Sequence, residues 1–141
     1  MYPTVLIVDS SVIIKWLSED RENNLENADR ILSDAQTGKV ELVAPELAKY
    51  EVGNVLLFSK KLSSEQATIT LAEFFNLPIT YIPESEKQAI ETFTLAFDLG
   101  ITYYDAAFLS LAKQYNATLV TENVKHQGKS SEVKVTSLEE Y

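Results

Sequence analysis

The sequence predicts an α/β domain built on a mainly parallel five-stranded sheet. Short apolar runs alternate with longer amphipathic stretches along nearly the whole chain, and strands separated by helices pair in parallel through crossovers. Glycine, proline and serine mark the places where one period gives way to the other. The 141 residues suffice for one hydrophobic core. No linker, internal repeat or low-complexity segment divides them, so a single domain over residues 1–141 is expected.

TVLIV (Thr4–Val8) reads as a strand buried on both faces. Helices from about Ser11 to Leu17 and from about Leu25 to Gln36 follow, the second stopped by Gly38. VELVA (Val40–Ala44) is the second strand, and Pro45 suits the first position of a helix running to about Lys60. Ser63 with Gln66 has the spacing of a capping box for a helix that ends before Pro78. ITYI (Ile79–Ile82) is the third strand. Ser85 with Gln88 repeats the capping pattern, and Gly100 closes that helix. Thr102 opens the next one, and ATLVT (Ala117–Thr121) and VKVT (Val133–Thr136) complete the sheet.

Composition narrows the chemistry. There is no cysteine, which excludes disulfides, thiolate metal sites and a cysteine nucleophile. The apolar run Val5 to Val8 is too short for a signal peptide or a membrane helix, so a cytoplasmic protein without membrane attachment is expected. A net charge of −9 disfavours non-specific nucleic-acid binding and favours cationic partners, either metal ions or a basic protein segment. Residues 19–34 are the most acidic stretch, with six acids against two bases.

In a parallel α/β sheet the ligand crevice lies beyond the carboxyl ends of the strands. Asp9 follows TVLIV directly. At about 100° per residue, the α-helical step, Leu47, Ala48, Val52, Val55 and Phe58 share one side of their helix and Glu51 falls inside that apolar arc. Asp105 lies one turn before Phe108, at the head of a stripe formed with Leu111, Ala112 and Tyr115. Each acid has an ordinary structural explanation. Asp9 suits a helix cap, Glu51 a salt bridge, and Asp105 a capping box with Thr102. Three acids at one sheet edge repel one another unless a cation lies between them. Carboxylate oxygens without histidine or cysteine suit Mg²⁺ or Mn²⁺, ions that serve phosphodiester hydrolysis.

Four segments carry a family resemblance: VDSSVIIKW (Val8–Trp16), PELAKYEVGNVL (Pro45–Leu56), ITYYDAAFLSLAK (Ile101–Lys113) and LVTEN (Leu119–Asn123). Together they resemble PIN-domain ribonucleases, specifically the small VapC-type toxins of prokaryotic toxin–antitoxin pairs. The resemblance implies a three-layer α/β/α domain and a Mg²⁺- or Mn²⁺-dependent endoribonuclease acting on RNA. It also implies a homodimer and a small antitoxin protein as partner. Asp9, Glu51 and Asp105 match the family's acidic positions and are expected to be catalytic and metal-binding. Ser11 matches a small hydroxyl residue that orients the first aspartate. One position departs: after Thr121 and Glu122, Asn123 stands where the family commonly has aspartate. It is expected to act in catalysis from the outer shell, while Glu122 is expected to turn away.

Other readings have weaker support. The only histidine, His126, falls in a polar loop, reads as a surface residue, and is accompanied by no G-x-S-x-G elbow. No phosphate-binding glycine loop is present, and Ser11 stands where a phosphoaspartyl enzyme wants its second acid. The remaining alternative is an inactive PIN-like scaffold that binds RNA or a protein, which Asn123 and the acidic charge both favour. Lys15, Lys49, Lys113 and Lys125 are candidates to line an RNA route. Trp16, Phe58, Phe74, Phe75 and Phe108 are expected in the core or in a dimer contact.

Overall fold

The computed structural model describes residues 2–130 and 132–141, and the side chains of all of these except His126 and Gln127. The reading of His126 as a surface residue therefore lies outside the described residues. Five strands form one sheet: β1 (Thr4–Val8), β2 (Val40–Pro45), β3 (Ile79–Ile82), β4 (Thr118–Thr121) and β5 (Val135–Ser137). Their order is β3-β2-β1-β4-β5, and every pairing is parallel. β1 is therefore central, and Ile7 and Val8 are fully buried. The helices are α1 (Ser10–Leu17), α2 (Leu25–Gln36), α3 (Leu47–Phe58), α4 (Ser64–Phe75), α5 (Glu86–Leu99), α6 (Tyr103–Tyr115) and the short α7 (Val124–Gln127). They complete a three-layer α/β/α fold. α6 lies against β1, β2 and β4 with α5 stacked on it, while α1 packs on α2 and α3. From β1 the chain builds outward to β2 and β3, then crosses to β4 on the other side. The carboxyl ends of β1 and β4 thus form the switch point at which such sheets bind ligands.

The helix ends follow their local chemistry. Ser63 and Gln66 form a complete capping box on α4. Ser85 caps α5 by accepting from the Gln88 amide at 3.1 Å, but the Gln88 side chain reaches Ser110 on α6 instead of closing the box. Gly100 ends α5 in the left-handed region at φ 66°, and a Cβ there would meet nothing within 4 Å. Gly100→Ala is accordingly expected to cost about 1–2 kcal/mol from backbone strain alone, read as a lowered urea midpoint.

Several expected boundaries shift. Pro45 is the last residue of β2, in register with Ile82, and α3 begins only at Leu47. The ladder continues without a proline N–H because the Glu46 amide donates to the Ile82 carbonyl at 3.1 Å. β5 starts two residues later than the VKVT pattern suggests, although Val133 is buried all the same. Ala48, Val52 and Leu56 are the buried line of α3, which leaves its last residue, Phe58, turned outward and 66% exposed. Phe75 is 63% exposed and packs edge-on against buried Phe74. Tyr115, at the end of α6, is only partly covered, whereas Ala106 to Ala112 are buried all round. Among the described residues no helix is long and apolar enough to cross a membrane.

Candidate active site

Asp9 leaves the central strand and becomes the N-cap of α1. Its Oδ1 accepts from the Ser11 amide at 3.0 Å and from the Ser11 hydroxyl, and its Oδ2 accepts from the hydroxyl of fully buried Thr121. Asp9 is itself buried. Burial pushes its carboxyl above the ordinary range, and the bonds from Ser11 and Thr121 oppose that rise only in part. The helix-cap explanation is therefore correct for one oxygen, while the second is held by the end of the neighbouring strand.

Glu51 extends from α3 and accepts a hydrogen bond from the Ser10 hydroxyl at 2.5 Å. Among the described residues no cation pairs with it, so the salt-bridge explanation does not apply. Burial raises its carboxyl above the usual range; the Ser10 bond works against this, and the charges of Asp9 and Asp105 add to it. Like charges lining one cleft repel in this way. Asp105 sits in the first turn of α6, where its amide donates to the Thr102 hydroxyl at 3.0 Å. Asn123 lies between β4 and α7, and its amide is held by Thr121 at 2.8 Å.

All four residues line one cleft of about 510 Å³. Its acidic oxygens are hard donors that fit a divalent cation in type, and such an ion would relieve the repulsion on Glu51. Among the described residues no group of three or more histidine or acidic side chains is arranged to hold a metal ion. Mg²⁺ does not need such a group, since it keeps several waters and takes one or two carboxylates directly.

The model of the PIN domain family matches residues 6–128. The chain belongs to the PIN-domain family. A curated relative, Ribonuclease VapC3 of Pyrobaculum aerophilum, is 33% identical over 121 residues, covering 82% of this chain and 87% of that protein. Among solved structures, this PIN domain resembles a chain of VapBC2 from Rickettsia felis bound to a DNA fragment from its promoter. The TM-score is 0.74 at 18% identity, over 95% of this chain and 98% of that one. A toxin–antitoxin complex from Klebsiella pneumoniae gives a TM-score of 0.69 at 18% identity, over 96% and 99%. At such identities the structures establish the shared fold.

The loop after β4 differs from expectation. Glu122 and Asn123 both line the PIN-domain cleft. The alternation that would separate them ends with the strand, because the chain bends at Glu122 and Asn123 has φ −103° and ψ 49°. Glu122 lies 3.5 Å from the Lys15 ammonium, accepts from Asn24 at 3.2 Å, and donates its amide to the Ser11 hydroxyl at 3.2 Å. Of the four lysines expected along an RNA route, only Lys15 lines the cleft. Lys49 pairs with Glu46 beside the Tyr81 ring, and Lys113 bridges Glu91 and Glu132.

Among the described residues Arg21 and Lys60 also bring cations to the cleft, and no motif marks either in the sequence. Glu22 joins Lys15 at 2.9 Å and also pairs with Lys60. Burial opposes its charge, but the two ammonium groups outweigh that and hold its carboxyl below the usual range. Ser10 and Thr121 were legible only as neighbours of acidic positions. Their roles as hydroxyl donors to Glu51 and Asp9 depend on contacts across 41 and 112 residues of chain.

Proposed function

We propose that this PIN domain is a metal-dependent endoribonuclease and the toxin of a VapBC-type toxin–antitoxin pair. The observation that carries this reading is the convergence of Asp9, Glu51 and Asp105, from three separate elements, on one cleft at the sheet's switch point. The 33% identity to a protein named as a ribonuclease supports the reaction, and the likeness to toxin–antitoxin complexes supports an antitoxin partner. The unit is residues 1–141 acting as a cytoplasmic homodimer.

Asp9 and Asp105 would hold a Mg²⁺ or Mn²⁺ ion, which would supply Lewis-acid polarisation of a phosphoryl oxygen and a more acidic water. Ser11 and Thr121 keep the Asp9 carboxylate aimed at the cleft. Glu51 would either complete the shell of the ion or accept a hydrogen bond from the attacking water and orient it toward phosphorus, and Asn123 supports the site from the outer shell. Water, and not the ribose 2′-hydroxyl, is then the nucleophile, so cleavage leaves a 5′-phosphate and a 3′-hydroxyl. End-labelling of the fragments checks this: ends that accept a 3′-ligated adaptor without phosphatase treatment are expected, and 2′,3′-cyclic phosphate ends would overturn the mechanism. Single-stranded or looped RNA is the substrate form, because its backbone can enter a recessed cleft.

One observation favours a second reading. Asn123 supplies no charge at the position where relatives of this kind commonly carry an acid, which suits a scaffold that binds RNA or a protein without cutting. The retained Asp9 and Glu51 carboxylates, each held by a hydroxyl, support the enzyme over the scaffold.

A further inference from the structure

The cleft has a basic wall beside its acidic centre. Lys15 on α1 and Lys60 just beyond α3 are both buried, with side chains only 3% and 6% exposed. Between them sits a single carboxylate. Glu22 Oε1 is 2.9 Å from the Lys15 ammonium, and its Oε2 is bound by Lys60. Lys60 also donates to the Asp20 carbonyl, and Lys15 to the Asn23 side chain at 3.3 Å.

Glu22 is not carried by a helix or strand. It belongs to the 18–24 segment joining α1 to α2, where Arg21 and Asn24 adopt φ 56° and 55°. Arg21 is strained in that left-handed region, whereas asparagine adopts it readily. The segment therefore takes a costly path while carrying Glu22 to the lysines. The two lysines face two carboxylates, since Glu122 lies 3.5 Å from Lys15, and the exposed Arg21 adds a third cation to the same wall. A carboxylate with each oxygen on a different lysine has the charge and two-point shape of a phosphodiester's free oxygens.

We propose that Lys15 and Lys60 form a subsite for a backbone phosphate of the RNA strand, and that Glu22 occupies it in the RNA-free protein. Strand binding exchanges the Glu22 carboxylate for a phosphate and releases the 18–24 segment from the cleft wall. The subsite holds the strand beside the acidic centre, at the lip of the same cleft. It gives a protein of net charge −9 a local cationic contact, at the cost of competition from its own side chain. The inference rests on the nuclease reading for the identity of the strand.

The test measures binding of a labelled single-stranded RNA oligonucleotide by fluorescence anisotropy in EDTA, at several KCl concentrations. Wild type is compared with Glu22→Gln and Lys60→Gln, each checked by thermal melting. Glu22→Gln is expected to bind about tenfold tighter, as the lysines make charge-assisted bonds to phosphate without first losing one. Its log–log salt slope is expected to be steeper by about 0.7, one single-strand phosphate contact no longer offset by cation uptake at the freed Glu22. Lys60→Gln is expected to bind several-fold more weakly than wild type. Unchanged or weaker binding by folded Glu22→Gln would overturn the subsite and leave the network a structural latch. If Glu22→Gln does not fold, Lys60→Gln decides, and affinity equal to wild type would overturn the proposal. Cleavage with Mn²⁺, run in parallel, separates the two failures. Cutting by wild type with no gain in Glu22→Gln removes the subsite alone. A gain in binding with no cutting keeps the subsite and removes the nuclease.

Discussion

Asp9→Asn is expected to cut RNA about a thousandfold more slowly than wild type, the scale of losing one fixed electrostatic group at a reacting centre. The same variant is expected to melt at a higher temperature than wild type in EDTA. Asparagine preserves the local shape. Its carbonyl takes the bonds from Ser11, and its amide donates to the Thr121 hydroxyl, which can accept. What disappears is a buried charge. The folded-state carboxyls of Asp9 and Glu51 are raised above 3.8 and 4.5, chiefly by burial. A raised folded value means that the folded state holds the proton more tightly than the unfolded chain. The associated stability is full below the unfolded value and is lost as pH rises through the folded one. Metal-free wild type should therefore melt higher at mildly acidic pH than at neutrality, and Asp9→Asn should flatten that dependence. Glu22 acts in the opposite sense, but its depressed carboxyl confines its loss to pH below 4.5. Melting curves at several pH values with and without Mn²⁺ check all of this, since Mn²⁺ should stabilise wild type and not the variant.

Phe108→Ala is expected to remove about 3–5 kcal/mol of folding stability, measured by urea denaturation. Phe108 is 2% exposed and lies on α6 one turn beyond Asp105, between the core and the floor of the cleft. Truncation leaves a cavity beneath a helix that is buried over seven consecutive residues and cannot readily collapse into the gap. Against the 5–15 kcal/mol typical of a folded domain, the loss is a large share. Phe108→Leu retains most of the volume and is expected to cost less than about 1.5 kcal/mol.

The parallel sheet was legible because its strands alternate with helices that carry their own start and stop residues. Thr4–Val8 and Ile79–Ile82 match their apolar runs residue for residue. The boundaries that moved are those where a backbone bond outside the side-chain pattern decides, as at Pro45, whose strand is continued by the Glu46 amide. For the site, an acid on an apolar helix face was a usable signal at Glu51 because burial without a partner is costly. The cationic wall was illegible. Lys60 and Glu22 are ordinary surface types in sequence, and they become significant only when the loop between two helices folds back onto the end of a third. Glu122 was misjudged for a related reason, since strand alternation was carried one residue past the end of β4.

The central proposal is that Asp9, Glu51 and Asp105 form a divalent-metal site that enables RNA cleavage. Its most direct test is incubation of a labelled RNA pool with wild type and with Asp105→Asn, in Mn²⁺, Mg²⁺ or EDTA, after melting curves show both proteins folded. The expected result is cleavage by wild type with either metal, none in EDTA, and none by Asp105→Asn. Folded wild type that cuts nothing with either metal, or cutting that survives EDTA or Asp105→Asn, would contradict it.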